Sequence, residues 1–212
     1  MNKKVKIGWD ISHLEFTIED HYYYSKLKSE IIKIGSTVKE LKTLDKIQDY
    51  EVVVFNYPEI PFRKKDASLI RSFVKKGGTA VITGYYNNED GIADSVNTLT
   101  HSFGFELRRD RVKDKHNCLG GDELLVVTER IELYNEGVNN VMFPCCATIN
   151  IFENKINPFI YTMKNTSGNR VIGAVAHHGD GKVILIGTCV FWDNNALSHC
   201  SNLRFSLNLL LN

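Results

Sequence analysis

The sequence predicts an α/β fold in which helices cover both faces of a mainly parallel sheet. Apolar strand-like runs alternate with stretches of helical periodicity over the first hundred residues, and one of these runs is apolar throughout. A composition of 43% hydrophobic and 24% charged residues is that of an ordinary globular chain. Strands that alternate with helices favour parallel pairing, because two parallel strands need a crossover connection between them.

Five short runs of the sequence predict the strands of the parallel sheet. Val5, Ile7 and Trp9 alternate with other residues, which indicates a short strand at 5–9. The run at 51–56 (EVVVFN) is typical of a strand that is covered on both faces. The remaining strands are predicted at 37–41, 79–83 and 182–187.

Helical spacing of apolar residues follows these strands. Thr17 and Asp20 have the spacing of a capping box, and Gly35 offers a left-handed stop for the helix that follows. Further helices are predicted around 69–74, 92–103 and 196–211.

The segment 105–170 breaks the pattern. It contains short β-like runs between Asn- and Gly-rich turns, so we expect a β-rich insertion or an extension at one sheet edge. Residues 171–177 and 182–187 flank Gly179-Asp180-Gly181, which indicates a tight hairpin. At ~150 residues per domain, the 212 residues favour a single domain over 1–212.

Charge and composition exclude several classes of function. Lys and Arg total 26 against 25 Asp and Glu, so we expect no nucleic acid and no anionic membrane surface as partner. Apolar runs are far shorter than the ~20 residues of a spanning helix, so we expect no membrane insertion. The first ten residues lack the apolar core of a signal peptide. Five cysteines without a C-x-x-C pair favour free thiols and a cytoplasmic location.

Cofactor and metal motifs are missing from the sequence. A phosphate-binding loop follows a strand and opens a helix. Gly77-Gly78 precedes a predicted strand and Gly120-Gly121 opens no helix, so neither pair fits this pattern. We therefore expect no cofactor. The spacing of His and Cys matches no standard metal motif, so no metal is expected either. Only a convergence of Asp10, His13 and Asp193 would create such a site.

Ligands of open α/β sheets bind beyond the carboxyl ends of the strands, and three predicted loops emerge there. These loops lie at 10–13, 84–87 and 189–195. Their predicted ligand-binding residues are Asp10, His13, Tyr85, Asn87, Trp192 and Asp193. We expect Asp10, His13, Tyr85 and Asp193 to converge in one cleft, where His13 would titrate. The alternatives are that Asp10 caps the next helix, that His13 bonds a backbone carbonyl, and that the Trp belongs to the core.

A nucleophile is missing where the fold would place it. The turn between the strand at 79–83 and the next helix reads Gly84-Tyr85 and carries no Cys, which argues against an enzyme. The alternative is a Cys-dependent hydrolase or amidotransferase that uses Cys189, with His177 or His199 as the base.

Several ordered segments carry a family resemblance. The chain opens with WDISHLE, continues through EVVVFNYPEIPF and FVKKGGTAVITG, and closes with GKVILIGTCVFWDNN before a Leu-rich helix. In this order the segments resemble the glutamine-amidotransferase-like superfamily, in the branch shared by gliding-motility, ABC-transport-associated and intraflagellar-transport proteins. A departure is Cys189, where many relatives have Asp or another small polar residue.

The resemblance implies a flavodoxin-like, three-layer fold that has lost the amidotransferase Cys. It also implies a non-catalytic domain, because related branches have been proposed to bind carbohydrates or to act in assemblies. We therefore expect a small polar ligand, a carbohydrate among the candidates, or a protein partner at the strand carboxyl ends. The sequence leaves the oligomeric state open.

Overall fold

The structure, a computed structural model, describes residues 4–164, 166 and 170–211. The strands of its central sheet are β1 (Lys6–Asp10), β2 (Thr37–Leu41), β3 (Val52–Asn56), β4 (Thr79–Thr83), β9 (Ile156–Tyr161), β10 (Val171–His178) and β11 (Gly181–Ile186). Their order across the sheet is β2-β1-β3-β4-β11-β10-β9. The first five strands in this order are parallel, and β10 runs antiparallel to both of its neighbours.

Helices cover both faces of the sheet. The helices are α1 (His21–Lys33), α2 (Lys64–Lys75), α3 (Ile92–Thr100) and α4 (Asn202–Leu211). Apolar residues of α1 and α4 share one core with Ile7 and Trp9, whereas those of α2 and α3 share a second core with Val53 and Phe55. Successive side chains of a strand point to opposite faces, and this alternation fills both cores from the same strands. The predicted three-layer α/β fold is confirmed.

The β-rich segment forms an antiparallel extension, as predicted. Its remaining strands are β5 (Phe105–Leu107), β6 (Leu125–Thr128), β7 (Val141–Pro144) and β8 (Ile149–Ile151). They pair as two small antiparallel sheets, β5 with β8 and β6 with β7, while β9 joins the edge of the central sheet. The hairpin turn at Gly179-Asp180 is confirmed between β10 and β11.

Two helix starts differ from the sequence prediction. Asp20, not Thr17, caps α1, because its carboxylate accepts the backbone N–H groups of Tyr22 and Tyr23 at 2.8 and 3.1 Å. The Thr17 hydroxyl instead donates to Glu40. The last helix begins at Asn202 and not at 196, since Cys200 has a left-handed φ of 50° that interrupts helical geometry.

No helix in the described part of the chain is both long and apolar enough to cross a bilayer.

Candidate functional site

The carboxyl edge of the parallel strands carries two regions of different chemistry. We call the first the ionic cluster, which consists of Asp10, His13, Glu15 and Asp66. We call the second the aromatic pocket, which is lined by Phe16, Tyr23, Tyr24, Tyr57, Tyr85, Glu89, Cys189 and Val190. The segment between β1 and α1 contributes to both, and Trp9 Nε1 anchors it by donating to the Phe16 carbonyl at 2.7 Å.

The ionic cluster is built around the imidazole of His13. Its Nδ1 lies 2.7 Å from Oδ2 of Asp10, the fully buried last residue of β1. Its Nε2 lies 3.8 Å from Oδ2 of Asp66 on α2. The ring packs against Phe62 at a centroid distance of 4.3 Å, which keeps the imidazole away from water. His13 therefore lies between two carboxylates inside the protein.

Glu15 brings a further carboxylate to the same place. Leu14 adopts a left-handed φ of 58°, so that its own side chain is 61% exposed while those of His13 and Glu15 are buried. Glu15 Oε2 accepts the backbone N–H of His13 at 2.8 Å. Its Oε1 lies 3.6 Å from His13 Nδ1 and has no hydrogen-bond partner among the described residues. Burial, followed by the negative charge of Asp10, holds the pKa of Glu15 well above its usual range.

The cluster is unevenly balanced in charge. Burial alone would raise the pKa of Asp66, but hydrogen bonds from the Arg63 side chain and backbone, with the Arg63 charge, lower it. Both of these hydrogen bonds are 3.0 Å long. In the described ranges, no lysine or arginine forms an ion pair with Asp10 or Glu15. Two of the three carboxylates thus depend on His13 alone for a positive charge.

The aromatic pocket is a cavity of about 350 Å³ beside this cluster. Ring centroids of Phe16 and Tyr57 are 5.1 Å apart, and those of Tyr57 and Tyr85 are 5.4 Å apart, so the rings form a continuous wall. Phe16 and Tyr23 remain 40% and 41% exposed. The exposed carboxylate of Glu89 adds a charged group to the lining.

A buried hydrogen-bond network lies beneath the pocket. The amide of Asn56, at the end of β3, donates to the Tyr24 hydroxyl at 2.8 Å. Its carbonyl oxygen accepts from the Thr83 hydroxyl and from Trp192 Nε1, each at 3.0 Å. One Asn therefore joins the ends of two strands, a pocket tyrosine and a core tryptophan.

The structure does not bring Asp10, His13, Tyr85 and Asp193 together in one cleft. Asp10 and His13 meet in the ionic cluster, whereas Tyr85 lines the aromatic pocket. Trp192 is fully buried below that pocket, in agreement with the alternative that this Trp belongs to the core. Asp10 caps no helix, and the His13 ring pairs with carboxylates and not with a backbone carbonyl.

The other two predicted residues have local structural roles. Asn87 is exposed, has a left-handed φ of 53°, and donates its backbone N–H to the Asp110 carbonyl at 2.8 Å. Asp193 accepts the backbone N–H of Ala196 at 2.7 Å and so stabilises a short turn before α4. Neither residue contacts the ionic cluster through any bond that the described ranges contain.

Glu15, Asp66 and Asn56 belong to this edge and were not predicted. Glu15 lies two residues after His13, and this short spacing is the one sequence feature that could have placed it at the same site. Asp66 reaches the cluster from α2, and sequence spacing carries no information about such a contact.

The alternative catalytic pair is not assembled. Cys189 is fully buried, and burial raises the pKa of its thiol. His177 pairs with Lys182 near the start of β11, whereas Cys189 follows the end of that strand. At ~3.3 Å per residue, the strand separates these side chains by well over hydrogen-bonding distance. No hydrogen bond joins His199 to Cys189 within the described segments.

Comparisons with known proteins agree with this class of α/β protein. No protein-family model matches the sequence. A protein of Aquifex aeolicus (strain VF5) that is described as uncharacterized is 42% identical over 219 residues, with 97% of this chain and 93% of the relative covered. The chain belongs to the same family as this Aquifex protein.

Solved structures share the fold at low identity. The N-terminal domain of mmIFT52 matches with a TM-score of 0.81 and 17% identity, over 95% of this chain and 93% of that one. The cytoplasmic protein STM1381 of Salmonella typhimurium LT2 matches with a TM-score of 0.62 and 12% identity, over 97% and 98% of the two chains. A β-galactosidase from Bacillus circulans matches with a TM-score of 0.58 and 14% identity, over 98% of this chain and 30% of the β-galactosidase chain. The predicted likeness to intraflagellar-transport domains is confirmed at the level of fold.

Proposed function

We propose that the chain is a non-catalytic binding protein whose aromatic pocket takes a small polar ligand of the carbohydrate class. The observation that carries this proposal is a wall of tyrosine and phenylalanine rings with a carboxylate beside it. The apolar face of a sugar stacks on such rings, while its hydroxyls bond to tyrosine hydroxyls and to a carboxylate. The cavity of about 350 Å³ falls at the small end of ligand sites, which suits a mono- or disaccharide.

The ionisation of the pocket supports a binding role. Burial raises the pKa of Tyr57 and Tyr85, so both hydroxyls stay neutral at physiological pH. The Tyr57 hydroxyl donates to Asp90 at 2.8 Å and can still accept a hydrogen bond from a ligand. Burial likewise raises the pKa of Cys189, so its thiol is not a ready nucleophile.

Steric closure of the strand–helix turn also argues against catalysis. A Cβ atom added at Gly84 would lie 2.3 Å from Leu107 Cδ2. A side chain at this position requires the Leu107 side chain to move, so the turn as it stands is packed for glycine and not for a nucleophile. We extend the proposal to descent from the amidotransferase-like superfamily, with the catalytic turn closed.

Saturation-transfer NMR with a panel of neutral hexoses and disaccharides tests the ligand class. We expect at least one sugar to bind with a Kd of about 1 mM or lower. Its affinity should fall about tenfold in Tyr23→Ala, because this substitution removes a stacking ring from the pocket. Tyr22→Ala is the matched control, because Tyr22 neighbours Tyr23 on α1 but does not line the cavity. If no sugar receives saturation from the protein, or if both variants lose affinity equally, the proposal is contradicted.

A protein partner is the second candidate, favoured by exposed apolar side chains on the segments that form the pocket mouth or adjoin it. These are Leu14, Phe16, Tyr22, Tyr23 and Ile60. Clustered apolar exposure is a feature of protein-binding surfaces. Leu14 and Ile60 lie outside the cavity lining, so the double variant Leu14→Ser, Ile60→Ser separates the two candidates. In-cell cross-linking that weakens in this variant, with sugar binding unchanged, would assign the mouth to a protein.

Two broader expectations join the proposal. The five cysteines form no disulfide, which supports the expected cytoplasmic location. We also propose that residues 1–212 form one domain, and a single calorimetric transition with matching van't Hoff enthalpy tests it.

A further inference from the structure

We propose that Asp10, His13 and Glu15 bind one divalent transition-metal ion, beside the aromatic pocket and independently of its ligand. The three side chains each offer a ligand atom, and these atoms lie within 4.8 Å of one another. All three residues are buried. They occupy a six-residue run, Asp-x-x-His-x-Glu, that the left-handed Leu14 folds inward.

The donor set decides the class of ion. One imidazole nitrogen and two carboxylate oxygens suit Zn²⁺ or Mn²⁺, whereas Ca²⁺ and Mg²⁺ prefer oxygen ligands throughout. No cysteine belongs to the cluster, so the softer thiolate-binding ions are not favoured.

Glu15 provides an observation that is independent of the clustering. Its side chain is fully buried, yet Oε1 has no hydrogen-bond partner in the described part of the protein and faces His13 Nδ1 at 3.6 Å. Buried polar atoms are nearly always satisfied, because an unpaired group forfeits its hydration. An ion held between Glu15, His13 and Asp10 would satisfy this oxygen.

The far side of the imidazole is arranged as in metal-binding histidines. Such histidines commonly turn their second ring nitrogen towards a carboxylate, which fixes the ring and raises its basicity. Here Nε2 of His13 faces Asp66 at 3.8 Å, and Arg63 holds Asp66 in place at 3.0 Å. This leaves Nδ1 as the ligand atom. Asp66 is then a positioning residue and not a ligand.

Ser12 connects Nδ1 to the protein surface by a hydrogen bond. The exposed Ser12 has its hydroxyl 3.1 Å from Nδ1 and 2.9 Å from Asp10 Oδ1. The 2.7 Å contact between Asp10 and His13 is a hydrogen bond, so an ion that enters here displaces its proton to water. The competing explanation is that this hydrogen bond alone completes the cluster.

The test uses the untagged full chain, stripped with a chelator and then loaded with Zn²⁺ or Mn²⁺. After gel filtration, elemental analysis should find about one ion per chain. An ion concentration ~100-fold above Kd should raise the melting temperature by about 5–10 °C. Glu15→Gln keeps the side-chain shape and the acceptor for the His13 N–H, and it should remove both the retained ion and the shift.

Two further variants separate ligand from positioning residue. Asp66→Asn should bind the ion roughly 10–100-fold more weakly, which is less than the loss in Glu15→Gln. Glu59→Gln is the matched control, because Glu59 is exposed and nearby in the fold, with its backbone N–H on the His13 carbonyl. It should bind like the wild type.

Less than a tenth of an ion per wild-type chain would overturn the proposal. Equal retention by the wild type and Glu15→Gln would also overturn it, since the ion would then be bound elsewhere. Neither result bears on sugar binding, which the Tyr23→Ala comparison tests on its own.

Discussion

The ionic cluster and the aromatic pocket lie at the same edge of one sheet, but they differ in how completely their buried polar groups are hydrogen-bonded. Glu15 and Phe16 are adjacent in the chain, but one enters the cluster and the other lines the pocket. Below the pocket, the donors and acceptors of Asn56 are paired with neutral groups. In the cluster, Glu15 keeps an unpaired oxygen beside a second carboxylate. The polar groups below the pocket are thus all paired, and the pocket itself is open to solvent. The cluster is buried, and His13 is the basic group that faces its carboxyl groups Asp10 and Glu15.

This contrast predicts stability changes of opposite sign. Removing a partner from the neutral network leaves several buried groups unsatisfied, which destabilises the fold. Replacing the ionisable Glu15 in the cluster by a neutral group removes the cost of burying it, which stabilises the metal-free fold.

Asn56→Ala should give the largest loss. It leaves the Tyr24 hydroxyl and Trp192 Nε1 without their partner and removes one bond from Thr83. We expect the free energy of unfolding to fall by about 3–5 kcal/mol and the melting temperature by roughly 10 °C. Denaturant unfolding measures the change. Asn139→Ala, at an exposed position, is the control and should stay within ~0.5 kcal/mol; an equally small effect at Asn56 would refute the network.

Asp114 provides a fully paired carboxylate to compare with Glu15. Burial alone would raise its pKa, but backbone N–H groups of Asn117 and His116 and the Thr166 hydroxyl lower it to about 2. A lowered pKa stabilises the fold above the unfolded value near 4, and this contribution is lost as the pH falls through 2. The wild type should exceed Asp114→Asn by about 2 kcal/mol near neutral pH.

Urea unfolding of both proteins across this acidic range measures the difference. The gap between wild type and Asp114→Asn should shrink steadily towards pH 2. A gap that is independent of pH would show that Asp114 acts through shape and not through its charge.

Glu15→Gln should change the stability in the other direction. In chelator-treated protein near neutral pH we expect the free energy of unfolding to rise by about 1 kcal/mol. Burial raises the pKa of Glu15, so its carboxylate, ionised in the unfolded chain, must take up a proton on folding, and a neutral amide avoids this cost. Denaturant unfolding beside Glu59→Gln measures this rise. A loss of stability in the metal-free variant would show that burial of the Glu15 carboxyl group does not destabilise the fold.

These two regions also show what the sequence can and cannot predict. The strand positions and the three loops follow from periodicity, because burial on two faces requires continuous apolar runs such as 51–56. Tyr85 was placed correctly at the edge by the carboxyl-end rule. Asp10 and His13 were also placed there, but their separation from Tyr85 depends on which face each side chain takes after Leu14. A left-handed Leu has no clear sequence signal, so this division could not be predicted.

Trp192 illustrates the second limit. In sequence, a Trp in a loop after a strand suits a ligand platform as well as a core. Its role depends on whether a buried acceptor meets its N–H, and that acceptor is Asn56, 136 positions away. Asp66 is a similar case, since it reaches His13 from another helix. Long-range polar partners therefore decide the site, and periodicity does not report them.

Tyr85→Phe should have the smallest effect on stability and the most specific effect on binding. The substitution keeps the ring that contacts Tyr57 at 5.4 Å and removes only the hydroxyl, so the unfolding free energy should stay within ~0.5 kcal/mol. If the pocket recognises sugar hydroxyls, the loss of this donor should weaken sugar binding about three- to tenfold. Titration by NMR measures this change, with Tyr22→Phe as the control because Tyr22 is 79% exposed and outside the cavity lining. Unchanged affinity in Tyr85→Phe would mean that the rings alone bind the ligand. The aromatic pocket would then suit an apolar compound, and only the ionic cluster would bind its ligand through polar groups.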